Sequence, residues 1–239
     1  MRQYSTVLSR ALAYAKRLFI FSFAFLLSAC ATVDFIPILN PDAALESLII
    51  NYEIEQKGIT CRGPNKIDCS SAAREIQKLL LANPDHTATQ VLAASLFINT
   101  GRRIQAQVEL DKVVRNYMPP LVALIMRTDL ALGEGNVKLA KRLSDYSISL
   151  YAGEAKPYLQ RASIEYIKGE YDKSLAYLST SLRFGLDESI YYYHLGLINQ
   201  AKHQVMQACQ YYKRSLSLMP PNSALVTSRL ASLQHLPNC

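Results

Sequence analysis

The chain has 239 residues, of which 26 are lysine or arginine and 19 are aspartate or glutamate. Four of the basic residues and none of the acidic ones lie in residues 1–29, so the remainder has a net charge of only +3. Its charges are scattered and form no basic stripe, so a nucleic-acid partner is not expected. The length of this remainder suits one or two domains, and no linker rich in glycine, serine or proline divides it.

Residues 1–29 combine a basic start with a short apolar block. Four basic residues precede the apolar run from Leu18 to Leu27. This is the layout of a secretory signal peptide. A run of about ten apolar residues is too short to span the hydrocarbon core of a membrane, which takes roughly 20 residues as a helix. The segment is therefore predicted to be cleaved.

The apolar block ends in Leu27-Ser28-Ala29-Cys30. This ending resembles the bacterial lipobox, in which an aliphatic residue and two small residues precede a cysteine that becomes the new N-terminus. The resemblance implies a covalent lipid on Cys30 and no other cofactor. Several acyl chains anchor a protein stably, because each buried methylene contributes about 0.8 kcal/mol. The alternative is an ordinary signal peptide or an uncleaved anchor, in which Cys30 is incidental.

The residue after Cys30 indicates which membrane would carry the lipid anchor. In the Gram-negative sorting pattern, an aspartate at this place favours retention at the inner membrane, and this chain has Ala31. The resemblance therefore implies a lipid-anchored protein of the outer membrane that faces the periplasm. Residues 30–39 would form a tether.

Four segments of 34 residues follow one another without a gap and share a pattern. They are 87–120, 121–154, 155–188 and 189–222. Glycine recurs at position 15, and small or compact residues recur at positions 20 and 27. The recurring residues are Gly101, Gly135 and Gly169 at position 15, Ala106, Ala140, Ser174 and Ala208 at position 20, and Val113, Ser147, Ser181 and Ser215 at position 27.

This pattern resembles the tetratricopeptide repeat (TPR), which has a bulky residue at position 4, Leu-Gly at 7 and 8, aromatic residues at 11 and 24, and proline at 32. Asn199 replaces the aromatic residue at position 11, and Arg127 and Arg161 stand where leucine is usual. The unit 189–222 matches best. Its matching residues are Tyr192, Leu195, Gly196, Ala208, Tyr212, Ser215 and Pro220.

The periodicity within each unit predicts a helical hairpin independently of the resemblance. Apolar residues recur three and four positions apart, as amphipathic helices require. The glycines at position 15 can take the left-handed conformation that ends a helix. One hairpin cannot bury both its faces, so neighbours must stack. The predicted fold is all-α, and the resemblance implies a right-handed solenoid of antiparallel helix pairs, the TPR superhelix.

The two ends of the array are predicted to differ from the four units. Residues 40–86 are expected to form a degenerate first unit, with one helix from Asn40 to about Gln56 and another from about Asp68 to Ala82. Residues 223–239 are expected to form a capping helix and a tail. That helix would have its N-cap at Asn222 and run to about His235.

Four cysteines remain beside Cys30, an even number in a compartment that permits disulfides. Cys61, Cys69, Cys209 and Cys239 allow three pairings. A turn signal between Cys61 and Cys69 favours a local bond, which leaves Cys209 with Cys239. A metal site is the competitor, but CxxC spacing is absent and no histidine lies between the first two cysteines. Free thiols are the other alternative.

The chain contains none of the common catalytic motifs for metalloproteases, serine hydrolases or nucleotide-binding enzymes. A non-enzymatic protein without a small-molecule substrate or a metal is therefore predicted. The TPR resemblance implies a concave groove lined by positions 2, 5, 9 and 12 of each first helix. A carboxylate clamp is not expected, because only Lys156 is basic there. These candidate groove residues are Val91, Ser95, Ile98, Val122, Ile125, Asp129, Leu132, Lys156, Leu159, Ser163, Tyr166, Ile190, Tyr193, Leu197 and Gln200.

Aliphatic and tyrosine side chains dominate this set, which suits an extended or helical peptide with apolar anchors. The alternative is that some of these side chains pack internally. The predicted function is an adaptor, anchored to the membrane by its lipid, that holds another envelope protein or peptide segment. Assembly of a pilus or secretion machine is favoured on architecture alone. The alternative is an accessory or regulator of a periplasmic enzyme, such as a protease or the cell-wall or exopolysaccharide machinery.

Overall fold

The structure is a computed structural model that describes residues 40–57, 59–62, 66–221, 223–233 and 239. Cys30, the expected tether and the expected N-cap Asn222 lie outside the described residues. Every regular element in the described ranges is an α-helix, so the all-α prediction is confirmed. None of the helices in these ranges has both the length and the apolar character needed to cross a membrane.

The first helices are α1 (Pro41–Asn51), α2 (Ile54–Lys57) and α3 (Cys69–Ala82). The prediction of one helix from Asn40 to Gln56 was wrong, because the chain leaves the helix at Tyr52 and Glu53 has a φ of 53°. This break has a packing reason. It lets Ile54 and Ile59 lie against the core that contains Leu45 and Leu48, which a straight helix would not allow.

The connection to α3 is folded onto the first turn of that helix. The structure joins Cys61 to Cys69, whose Cα atoms are 5.5 Å apart. The backbone N–H of Ile67 donates to the carbonyl of Thr60 at 2.9 Å. The Asp68 side chain caps α3 by accepting the N–H of Ser71 at 3.0 Å, which satisfies an otherwise unpaired amide.

Four helix pairs follow, and their first helices begin at Thr87, Leu121, Ala155 and Glu188. Each second helix packs on its own first helix and on the helix that follows it in the chain. The chain is therefore a solenoid of helix pairs, as predicted. The pairs are α4 (Thr87–Asn99) with α5 (Arg103–Val113), α6 (Leu121–Gly133) with α7 (Val137–Leu150), α8 (Ala155–Ile167) with α9 (Tyr171–Arg183), and α10 (Glu188–Ala201) with α11 (Val205–Ser217).

The turn inside each pair uses a left-handed residue at position 15. Gly101, Gly135 and Gly169 have φ values of 79°, 72° and 78°. The fourth unit has His203 at this place, and its φ is 60°. In each turn the next amide donates to the carbonyl five residues back, for example Gln204 N–H to Asn199 at 2.9 Å. This is the Schellman ending of a helix.

Small residues mark the places where the helices approach one another. The residues at positions 20 and 27 are buried in all four units. Ser181 and Ser215, both at position 27, donate their hydroxyl protons to the first-helix carbonyls of Ala155 and Ser189 at 2.7 Å. Gly196 lies against the Tyr212 ring so closely that a Cβ atom would overlap it. The repeat positions thus fix helix spacing.

The last helix, α12 (Ser223–Ala231), packs on α11 through Val226 and Leu230. The expected end at His235 was wrong: the helix ends at Ala231, and the Leu233 N–H already donates three residues back to Leu230 at 2.9 Å. Residues 234–238 lie outside the described part of the chain. Cys239 is joined to Cys209 of α11, with the Cα atoms 5.6 Å apart.

Candidate functional site

The fifteen groove residues do not lie at one depth. Leu159 is only 6% exposed and belongs to the core with Ala162 and Leu178, so its assignment to the groove was wrong. Val122, Asp129 and Lys156 are exposed. The remaining eleven are half-buried: Val91, Ser95, Ile98, Ile125, Leu132, Ser163, Tyr166, Ile190, Tyr193, Leu197 and Gln200.

Three groove residues from two units meet in one pocket of about 830 Å³, here named the N-terminal pocket. Val91 and Ser95 come from α4, and Val122 comes from α6. Leu45 and Ile49 of α1 form the opposite wall. The other apolar lining residues are Ile59, Ala88, Leu92, Pro120 and Met126. The pocket is thus an aliphatic depression between the first helices of neighbouring units.

Two polar residues of the N-terminal pocket lie where α4 begins. Asp85 and His86 line it, and the described lining contains no lysine or arginine. His86 Nδ1 shares a hydrogen bond with Thr89 Oγ1 at 2.7 Å, and Nε2 shares one with Asp42 Oδ1 at 3.0 Å. These bonds connect α4 to α1, so they hold the two walls of the pocket together.

A smaller pocket of about 360 Å³ continues the groove along α4 and α6. It shares Ser95 and Met126 with the N-terminal pocket, so the two form one trough. Ile98, Asp129 and Arg103 line its far end. A segment bound in the N-terminal pocket would therefore contact an aliphatic surface. If it extended further along the trough, it would reach the Asp129 carboxylate and the Arg103 guanidinium.

The C-terminal end of the groove is aromatic. The ring centres of Tyr193 and Tyr212 are 6.0 Å apart, and the Tyr212 hydroxyl donates to Gln200 Oε1 at 2.7 Å. Burial raises the pKa of Tyr166 and of Tyr212, so both phenols stay neutral. Burial, with the positive charge of Lys156, lowers the pKa of His194 to about 4.

Several half-buried groove residues also contribute packing or backbone support. Leu132 packs against the cluster of Ala131, Ala140 and Ile164, and Ile190 packs against the Leu159 core. The carbonyl of Ile125 accepts from Gln160 Nε2 at 2.9 Å, and the Ser163 hydroxyl donates to the carbonyl of Leu159 at 3.1 Å. Leu197 lies against the α11–α12 cluster.

The sequence-based site omitted the wall that α1 and Ile59 supply. The sequence predicted a helix from Asn40, but it did not show which apolar residues of that helix would line an open pocket. The described residues contain no group of three or more histidine, cysteine or carboxylate side chains that could hold a metal. The arrangement is suited to holding an apolar segment of a partner.

No protein-family model matches the chain, and no curated protein matches it. Among solved structures, a tetratricopeptide repeat protein from Parabacteroides merdae is 18% identical, with 95% of this chain and 81% of that one covered and a TM-score of 0.60. A TPR protein from Thermus thermophilus is 17% identical over 82% of this chain and 100% of its own, with a TM-score of 0.61. This chain has the TPR fold.

A third TPR structure, YrrB, is described as having an unusual peptide-binding site. It is 13% identical, with 90% of this chain and 98% of that one covered and a TM-score of 0.57. At these identities the likeness concerns the fold of the TPR array.

Two departures from the TPR pattern form ion pairs between units. Arg127 Nε donates to Asp111 of the preceding unit at 2.7 Å, and Arg161 Nε donates to Asp145 at 2.7 Å. Both arginines occupy position 7 and both aspartates position 25, so one contact is repeated at two successive interfaces. At the next interface the corresponding residues are Leu195 and Ser179.

Proposed function

We propose that the protein is a non-catalytic scaffold that binds a segment of another protein along its first helices. The observation that carries the proposal is the aliphatic N-terminal pocket and its continuation along α4 and α6. An aliphatic pocket that is continued by a more polar trough is the type of surface that receives apolar anchors of a partner and fixes their orientation. The peptide-binding site named for YrrB supports this use of the fold by analogy.

The proposed setting is the bacterial envelope. The lipobox-like ending at Cys30 supports a lipid anchor at the outer membrane, facing the periplasm, which would raise the effective concentration of the scaffold near its partner. The partner would be another envelope protein in the assembly of a pilus or secretion machine. This part of the proposal rests on the sequence and on analogy.

The first prediction concerns Val122, which lines the N-terminal pocket and is 48% exposed. Val122→Glu should keep the fold, because its side chain is half in solvent, and should abolish partner binding by placing a charge among aliphatic anchors. Partner binding is measured by crosslinking in membranes of the native host, followed by detergent extraction and pull-down.

The matched control is Val108→Glu on α5, where the valine is 50% exposed and lies outside the groove. This variant should capture the same partner as the wild-type protein. Circular dichroism melts of both variants check that the repeats stay folded. Unchanged capture by a folded Val122→Glu protein would contradict the proposal.

A further inference from the structure

A second cavity, named here the basic cavity, lies on the other side of α8 from the groove. Tyr158, Arg161 and Glu165 of α8 line it, together with Lys168 directly after the helix. These positions are offset by two residues from the α8 groove positions, and two residues correspond to about 200° around a helix. The cavity has a volume of about 520 Å³ and is completed by residues of α7 and α9.

The floor of this cavity is a buried guanidinium. The Arg161 side chain is 7% exposed and forms ion pairs with Asp145 and Glu165. Its Cζ lies 4.9 Å from the ring centre of Tyr177. The hydrogen bonds found among the described residues use its Nε and Nη1, so the hydrogens on Nη2 remain for a ligand.

Packing alone does not account for this arrangement. In the TPR pattern, the places of Arg161 and Glu165 hold leucine and an aromatic residue. A buried ion pair is commonly no more stabilising than well-packed apolar residues, because both charges must be desolvated. Burial opposes the ionisation of Glu165, but hydrogen bonds from Lys168 and Arg161 outweigh it and lower its pKa. The chain thus has charged residues, Arg161 and Glu165, at positions that are leucine and an aromatic residue in the TPR pattern.

Three lysines surround the guanidinium at the cavity wall. Lys141, Lys168 and Lys173 line the cavity and are exposed. Each forms an ion pair with a carboxylate. Lys168 pairs with the buried Glu165, whereas Lys141 and Lys173 pair with exposed carboxylates, and exposed pairs of this kind add little to stability. The ammonium groups of Lys141 and Lys173 can therefore turn to a ligand at little cost. The lining contains four cations and one carboxylate, Glu165.

We infer that the basic cavity binds a small phosphorylated molecule. A fixed guanidinium with its Nη2 hydrogens available, beside exposed ammonium groups, is a donor set suited to phosphate oxygens. A volume of about 520 Å³ accommodates a small molecule rather than a single ion. The tyrosines Tyr158 and Tyr177 supply apolar faces for the rest of the ligand. This site is independent of the groove on the opposite side of α8.

Inorganic pyrophosphate is the probe for this site, titrated into the purified full-length protein by calorimetry at constant ionic strength. We expect saturable binding at one site. Lys141→Gln with Lys173→Gln should weaken it about tenfold or more, since two charge-assisted hydrogen bonds to the phosphate oxygens are lost. Both lysines pair with exposed carboxylates, so the double variant should fold, as circular dichroism will check.

The matched control is Lys66→Gln with Lys78→Gln, which removes the same charge from two exposed lysines outside the cavity. It should leave the affinity for pyrophosphate unchanged. Equal weakening by both double variants would overturn the inference, because it would show a general charge effect. Absence of saturable binding to the wild-type protein, or equally tight binding of citrate, would also overturn the assignment to phosphate.

Discussion

At the scale of single residues, the backbone of the repeat is more constant than its sequence. Position 15 is left-handed in all four units, although only three of them have glycine there. His203 takes this conformation in the fourth unit because the Gln204 N–H must reach the Asn199 carbonyl to close the helix. The left-handed conformation costs about 1 to 2 kcal/mol for a residue with a Cβ atom.

The residue-scale prediction is that His203→Gly stabilises the protein by about 1 kcal/mol, since glycine adopts this conformation without strain. His203 is exposed, so little packing is lost. The free energy of unfolding is measured with urea. Gly169→Ala, at the equivalent place of the third unit, should destabilise by a similar amount. A neutral or destabilising His203→Gly would show that the histidine side chain has a compensating role.

The groove residues show the limit of prediction at this scale. The TPR resemblance placed positions 2, 5, 9 and 12 on one face of each first helix. It could not indicate depth, because depth depends on how neighbouring helices cross. Leu159 is therefore in the core, whereas Val122 at position 2 of the preceding unit is open to the pocket.

At the scale of helices and units, position 7 and position 25 change together. Arginine faces aspartate at two interfaces, and leucine stands with serine at the third. The buried network around Arg161 extends this contact to Glu165, which is 2% exposed. Removal of one member of such a network leaves a buried charge without its partner. Substitution of one member should therefore change the stabilising effect of the whole network.

The element-scale prediction compares Arg161→Leu with Arg161→Leu plus Glu165→Asn. The single variant should lose about 3 to 5 kcal/mol, because Glu165 stays buried with only Lys168 beside it. The double variant reproduces Leu195 and Asn199 of the fourth unit, so most of this stability should return. Urea denaturation of both variants provides the measurement. Equal losses in the two variants would show that Glu165 is not the source of the cost.

Helix boundaries could be predicted where a local sequence signal determines them. They could not be predicted where tertiary packing determines them. Asp68 and the position-15 glycines are local signals, and the helices begin or end beside them. The break at Glu53 has no such signal, because it serves the contact of Ile54 with the core. The early end of α12 likewise lacks a breaker in the sequence before Pro237.

At the scale of the whole molecule, the fixed period of 34 residues was sufficient to predict the solenoid, because stacking of identical hairpins follows from it. The N-terminal pocket was not predictable in the same way. One wall comes from α1 and Ile59, which lie outside the periodic part. The position of Ile59 follows from the Cys61–Cys69 connection, whose path no repeat fixes.

The whole-molecule prediction is that membrane attachment and partner binding are separable. Cys30→Ala should move the protein from the membrane to the soluble fraction, because it removes the acceptor of the proposed lipid. Fractionation of cells that express each form measures this. The circular dichroism spectrum and melting temperature of the repeats should not change. A wild-type protein that is already fully soluble would contradict the proposed anchor.

The paired change at positions 7 and 25 also means that the units are not interchangeable parts. A second copy of unit 155–188 inserted directly after the first would place Ser179 opposite the new copy of Arg161. That guanidinium would be buried without its interunit carboxylate. Duplication of unit 121–154 would instead set Asp145 opposite a new Arg127 and keep the match. Whether one unit can follow another in this array therefore depends on the residues at positions 7 and 25 of the interface between them.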